Sequence, residues 1–440
     1  MSSPASVERR GAPARGRRGR AHRGAGAEVP RAAWRRLFAC TAAAALLQLD
    51  GTLITVALPS VARSLSVSSA STSVVLSAYF GAYALTLLPG GALVDRLGAR
   101  PLALCGLAVF ALGAALGALA TSMDLLVASR IVQGAGAGLV SPAALAGAVS
   151  GFPPQRRGGA LGIWGASAGV SNLIGPLLGG LLTVTLGWRA DWWVLVPLAL
   201  LAAVAIERNL PSIVHGESGE RARTATNSVV LAATLIAALT FAVMIGSFYL
   251  AEQYLQRVAG YSALGASGVL VLVALFVGAA APLAGILVDR YGERLPALLG
   301  FTAAGVGLLV LGIPGVSLQS LVTLPLLIPV GIGLGMLFVP TSRAALNATP
   351  TASHGRTSAM LSVGRLLGAA AGAALAGAAL AGGITSSGVH NALLISGGAC
   401  FLVGLPACVL LGAAPHGEAA DPARTHPEAR VLANASAERR

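Results

Sequence analysis

The chain has no lysine, and all 30 of its basic residues are arginine. That alone argues against a Walker-type nucleotide loop, whose Gly-rich turn ends in Lys-Ser/Thr to hold phosphates. Charge of either sign is scarce. Only 10% of the 440 residues are charged, 55% are hydrophobic, and the mean hydropathy is +0.78. A soluble protein of this length cannot cover its surface with so few charges. Cysteine is rare too: Cys40, Cys105, Cys400 and Cys408 lie in apolar segments without paired spacing, so neither a disulfide framework nor a metal site is expected. No cofactor is implied. The net charge of +14 suggests nucleic acid at first sight, but ten arginines fall in the first 36 positions and the rest form no basic stripe. The head "RRGAPARGRRGRAHRG" is instead expected to be a disordered cytoplasmic tail that touches anionic headgroups.

What the chain does have is long apolar runs. Leu37–Pro59 and Leu102–Ala120 approach or reach the roughly 20 residues that span a bilayer. The first run follows "WRRLFAC", but it is too long for a signal core and contains Asp50, so it reads as a retained helix. Breaks at Gly, Pro and Arg define twelve helices, near 37–59, 72–94, 101–120, 124–148, 160–184, 191–206, 228–250, 264–288, 296–313, 320–345, 357–382 and 389–413. The expected fold class is an all-α membrane protein of twelve transmembrane helices. Its expected parts are a tail (1–36), a six-helix half (37–206), a cytoplasmic linker (207–227), a second half (228–413) and a disordered tail (414–440).

Arginine sets the orientation. One set of short loops holds ten (Arg96, Arg100, Arg156, Arg157, Arg208, Arg221, Arg223, Arg290, Arg294 and Arg356), and the opposite set holds only Arg63, Arg189 and Arg257. Both termini of this cell-membrane protein are therefore expected on the cytoplasmic side. A repeat supports the same layout. "GALVDRLGARPLALCG" at 91–106 and "GILVDRYGERLPALLG" at 285–300 share ten of sixteen positions, each after the second helix of a half. Two parallel six-helix units related by an axis along the membrane normal are expected, with a cavity between them.

These stretches carry a resemblance. "GALVDRLGAR" resembles the signature loop of the major facilitator superfamily, and the second copy is similar to its echo. "LDGTLITVALP" (Leu49–Pro59), "RIVQGAGAGLVSP" (Arg130–Pro142), "GIWGASAGVSNLIGPLLGG" (Gly162–Gly180) and "YLQRVAGYSALGASG" (Tyr254–Gly268) resemble motifs of its fourteen-helix drug:proton antiporters. The resemblance covers about 37–413. The chain departs from that branch in lacking two helices between the halves, and in Ser171, Thr55 and Ala99, which stand where Gly, Asn and a base are usual. The resemblance implies proton-coupled efflux of amphipathic small molecules of drug or antibiotic type, by a monomer in the bilayer that performs no covalent chemistry. An uptake or metabolite carrier on the same scaffold, and a non-transporting membrane sensor, remain alternatives.

The candidate residues follow. Asp50 is the one acid placed deep in a helix, about 20 Å from Leu37 at ~1.5 Å per residue. A lone carboxylate there is penalised by several kcal/mol unless protonated, paired or hydrated. Arg130 lies about 9 Å in from Asp124, at a neighbouring depth. Asp50 and Arg130 are the proton-coupling candidates, against a static ion pair. Gly91, Asp95, Arg96, Gly98 and Arg100, with Asp289 and Arg290 in the looser copy, form the gate motif, against a mere orientation signal. Gly162, Gly175, Pro176, Gly179 and Gly180 are the antiporter-type motif, whose plain role is close, bent helix packing. Tyr79, Tyr83, Gln133 and Arg365 are candidates for a substrate cavity, against core packing. Glu252 and Arg257 are placed at the solvated outer rim of the seventh helix.

Overall fold

The computed structural model describes residues 29–152, 157–212, 227–314, 316, 325–349 and 354–411, without the side chains of Asp95 and of parts of 157–169 and 354–355. Among the described residues there are twelve long helical segments and no strand. The first half comprises α1 (Arg31–Ser64), α2 (Ser69–Leu97), α3 (Ala99–Ala118), α4 (Met123–Val149), α5 (Arg157–Thr185) and α6 (Arg189–Asn209). The second comprises α7 (Ser228–Arg257), α8 (Ala263–Tyr291), α9 (Arg294–Leu311), α10 (Leu327–Asn347), α11 (His354–Ala379) and α12 (Ser386–Leu411). Eleven of them are long and apolar enough to cross a membrane, and the Val170–Thr185 part of α5 is a shorter apolar helix. Large side chains such as Leu85, Leu375 and Leu402 point outward, as a lipid-facing surface requires.

Helix boundaries follow local chemistry. Ser68, Ser122, Ser262 and Thr385 each accept a backbone N–H from the first turn of α2, α4, α8 and α12. Three details differ from the sequence expectation. Helix α1 begins at Arg31 behind Pro30, so Arg31–Arg36 are helical rather than tail. A proline before the first turn gives up no helical donor. Helix α6 runs to Asn209, three residues into the expected linker. Helix α12 contains a π-turn at Cys400–Gly404, a break in regularity with no signal in the apolar pattern. The head 1–28, most of the linker (213–226) and the tail from 412 lie outside the described residues.

The two halves meet along α2 against α11 and α5 against α8. Their hydrogen bonds fall toward one end. Among the described residues, Tyr249 bonds Thr72 and Ser69, Gln253 bonds Thr72, Gln256 reaches Val56, Arg257 reaches Pro59, and Ser77 reaches Ala370. This is the end where α1 and α7 finish and α2 and α8 begin. At the other end, where both copies of the repeated loop lie, the described polar bonds stay within a half. Arg100 clasps Glu207, and Arg343 clasps Asp289 and Glu293.

Candidate functional site

The centre of the first half is a polar cluster with no exposure. Asp50 on α1, Arg130 and Gln133 on α4 each have 0% accessible surface. Small residues make this approach possible. A Cβ on Gly134 would stand 2.4 Å from the Tyr79 carbonyl, so α4 presses directly onto α2. That brings Arg130 over the Tyr79 ring, with its guanidinium carbon 4.2 Å from the ring centroid. Arg130 Nη1 lies 2.7 and 2.8 Å from the two Asp50 carboxylate oxygens and 2.8 Å from Gln133 Oε1. Gln133 Nε2 completes the triangle by donating to Asp50 Oδ1 at 3.2 Å. Arg130 Nε donates to the Val75 carbonyl at 3.3 Å, while Nη2 has no partner among the described residues.

The carboxylate is therefore paired and hydrogen-bonded from two sides. A low-dielectric interior tolerates such a charge only in that form, and removing one partner costs about 3–5 kcal/mol. Chemically the cluster is one buried carboxylate balanced by one guanidinium and one amide. The free Nη2 donor leaves it able to recruit another acceptor.

Tyr79 is fully buried, and its hydroxyl donates to the Leu47 carbonyl at 2.9 Å. It therefore lies over the ion pair. Tyr83 packs edge-on against it at 5.9 Å. Gln133, expected at a cavity wall, belongs to the Asp50 cluster. Arg365 donates to Ser342 at 3.0 Å and lies 5.9 Å from the rings of both Phe241 and Phe338. The void beside Arg365 is about 10 Å³, room for one water.

The motif on α5 works by close approach. Cβ atoms on Gly175 and Gly179 would stand 2.0 Å from Thr52 Oγ1 and 2.5 Å from the Leu53 carbonyl of α1. One on Gly180 would meet Ser267 Oγ of the other half at 2.4 Å. Pro176 is buried between them. Ser171, at a position where Gly is usual, uses its hydroxyl to bond the Ala45 carbonyl at 2.9 Å. Gly162 lies in α5 where the surroundings are not described.

Of the gate motif, the Asp95 side chain lies outside the described residues. Gly91 faces open space, while Arg96 and Arg290 are exposed. Arg100 holds Glu207 and Ser212 at the end of α6. Asp289 pairs with Arg343, which sequence reasoning missed because it had placed that residue inside the tenth helix.

One expectation is overturned. Glu252, placed at a solvated rim, has no exposure, and its neighbours Gln253 and Gln256 bond α2 and α1 of the opposite half. Asp191 is a further buried acid that the sequence did not disclose, accepting from Thr183 Oγ1 at 2.5 Å. Asp50 is thus not alone.

Comparison with known proteins agrees with this architecture. The multidrug resistance protein Stp of Mycobacterium tuberculosis (strain CDC 1551 / Oshkosh) is 28% identical, the match covering 75% of this chain and 72% of that protein. The puromycin resistance protein pur8 of Streptomyces alboniger is 33% identical, over 78% of this chain and 67% of its own. An uncharacterized MFS-type transporter of Mycobacterium tuberculosis (strain ATCC 25618 / H37Rv) is 37% identical over 44% of this chain, a stretch spanning only 33% of its length. Among solved structures, a bacterial homologue of the human lysosomal transporter Spinster, inward-facing and unoccupied, superposes with a TM-score of 0.67 at 18% identity. That match covers 86% of this chain and 95% of the other. At that identity the likeness speaks for the fold alone. The family model of the Major Facilitator Superfamily matches residues 40–373, most of the chain, and the protein belongs to that superfamily.

Proposed function

We propose that the chain exports amphipathic small molecules of drug or antibiotic type, driven by protons and working by alternating access. The observation that carries the reading is the Asp50–Arg130–Gln133 cluster: one acid, buried about midway along a membrane helix, held by one cation. The resistance names of two relatives support the substrate class. The hydrogen bonding between halves supports alternating access, since among the described residues it falls toward one end and each half keeps its own polar bonds at the repeated-loop end. With both termini in the cytoplasm of a cell-membrane protein, that end faces inward and the sealed end faces out. Protons moving inward at Asp50 then exchange against substrate moving outward. A membrane potential adds about 2.3 kcal/mol per charge per 100 mV.

The gate motif is read as a latch of the inner end, and Gly175–Gly180 as the packing surface on which α5 shifts. The test is efflux from proteoliposomes with an imposed pH gradient. Wild type concentrates substrate against its gradient. Asp50→Asn keeps the volume but cannot titrate, and loses that uphill transport. If Asp50→Asn still concentrates substrate, the proton travels elsewhere and the reading fails.

A further inference from the structure

The sealed end contains a second buried acid. Glu252 on α7 lies five residues before Arg257, about 7.5 Å in from the end of that helix. It is 0% exposed. Its Oε2 accepts from Gln256 Nε2 at 2.7 Å, and the same Nε2 donates to the Val56 carbonyl of α1 at 2.9 Å. Glu252 Oε1 has no partner among the described residues. One amide thus ties the carboxyl of one half to the backbone of the other.

The neighbours are polar but supply no counter-charge. Among the described residues no cation pairs with Glu252. On its own helix Arg257 donates to the Pro59 carbonyl, and Tyr249 bonds Thr72 and Ser69 of α2. On α1, Asp50 is held by Arg130 and Arg63 donates to Ser60. On α11, Arg365 is spent on Ser342; on α12, His390 bonds the Ser386 and Val316 carbonyls. On α8 and α10 the charged groups Asp289, Arg290 and Arg343 lie at the opposite end of the molecule, where Asp289 pairs with Arg343. An ionised carboxyl with no cation and one bare oxygen is expensive in such a place. The neutral acid fits: one oxygen accepts from Gln256, and the other carries the proton.

We infer that Glu252 is a second proton-binding site, which latches the seal between the halves when it is protonated. The inference builds on the proton-coupled export reading but concerns the seal, not the Asp50 cluster. When the halves part at this end, water reaches Glu252 and the proton leaves to that side. The ionised group then resists being buried again until a proton returns from the same water. Acid on the side of Ser69 and Arg257 closes the gate, and base there favours opening.

The test reads access to Ser69, which is buried behind Tyr249. Ser69→Cys is placed in the full chain with Cys105→Ala, and labelled by an impermeant maleimide from that side at a series of pH values. Ser64→Cys, at an exposed position, corrects for the pH dependence of the thiol itself. The corrected rate is expected to rise with pH by up to about tenfold per unit, the limit for one linked proton. With Glu252→Gln it should stay within about twofold across the series, while Glu252→Asp restores the slope. Gln256→Leu leaves the acid titratable without its donor, so the midpoint must move. A slope retained in Glu252→Gln, or a midpoint unmoved in Gln256→Leu, overturns the inference. Asp50→Asn separates the two readings: it should abolish uphill efflux and keep the slope. Efflux insensitive to a pH gradient with the slope intact would sink the export reading alone.

Discussion

Gly98 and Gly292 hold nearly the same backbone conformation, φ 86° and ψ 157° in one, φ 76° and ψ 179° in the other, at the same step of the two halves. Each ends a helix that carries the repeated Val-Asp-Arg. The region is open essentially to glycine alone, and another residue there is strained by about 1–3 kcal/mol. The repeat preserves this turn because the chain must reverse within one or two residues to start α3 and α9.

The first prediction follows from that geometry. Gly98→Ala should lower the thermal midpoint of the purified protein, by an amount corresponding to about 1–3 kcal/mol. Gly91→Ala, seven residues earlier in the same motif, meets nothing within 4 Å and lies inside a helix. There alanine should be neutral or stabilising by up to about 1 kcal/mol. Equal losses from both substitutions would show that the motif is not read through this backbone turn.

A second prediction concerns the seal. A Cβ on Gly180 would stand 2.4 Å from Ser267 Oγ, 2.9 Å from Leu264 Cα and 3.0 Å from the Ala263 carbonyl. Two of these three obstacles are backbone atoms of the other half. Gly180→Val should therefore pry α5 from α8, raise labelling of Ser69→Cys severalfold and slow efflux. Unchanged labelling would mean that α5 yields without opening the seal.

Much of this arrangement was legible beforehand, and the failures share a cause. The neighbouring depths of Asp50 and Arg130 follow from helical rise along two single helices, so the sequence sufficed. The division into two six-helix halves is legible too, because a repeat is a one-dimensional pattern. The burial of Glu252 is not legible in the sequence, because the next residues in its helix bond partners nearly 200 positions away. Its surroundings "YLAEQYLQR" look like a wet rim, yet Gln253 and Gln256 point into the other half. Arg343 escaped notice for a similar reason. Its partners Asp289 and Glu293 lie 54 and 50 residues earlier on the chain. Tyr79 and Gln133 read as polar residues facing inward, and what the sequence does not show is that both touch the Asp50–Arg130 pair.

A third prediction separates the two copies of the gate motif. The Asp289–Arg343 pair is well exposed, and exposed pairs contribute about 0–1 kcal/mol. Asp289→Asn and Arg343→Gln should have matching, mild effects on efflux. Asp95→Asn should cripple efflux at near-normal membrane levels if the first copy is the working latch. Asp95→Asn behaving like Asp289→Asn would remove that role.

A fourth prediction fixes orientation. Cysteines introduced by Ser218→Cys and Ser353→Cys should be shielded from impermeant thiol reagents in intact cells, while Ser66→Cys should label. Labelling of Ser218→Cys from outside would invert the assignment, and with it the direction in which the sealed end faces.

The last prediction separates what the Asp50–Arg130 pair does for the fold from what it does for transport. Arg130→Gln leaves the Asp50 carboxylate buried without its cation, and Asp50→Asn leaves the Arg130 guanidinium buried with neutral acceptors alone, among them Gln133 Oε1 and the Val75 carbonyl. Losing one partner of such a pair costs about 3–5 kcal/mol, whereas removing both charges together is often nearly neutral. The carboxylate can escape its penalty by taking up a proton, but the guanidinium has no such exit. Asp50→Asn should therefore lower the thermal midpoint more than Arg130→Gln does at acid pH, and the double substitution should recover most of the wild-type value. Efflux driven by a pH gradient should remain lost in the double variant, because no titratable group is left in the cluster. A double variant that is stable and still pumps would reduce the pair to a structural clasp and move the coupled proton to another acid.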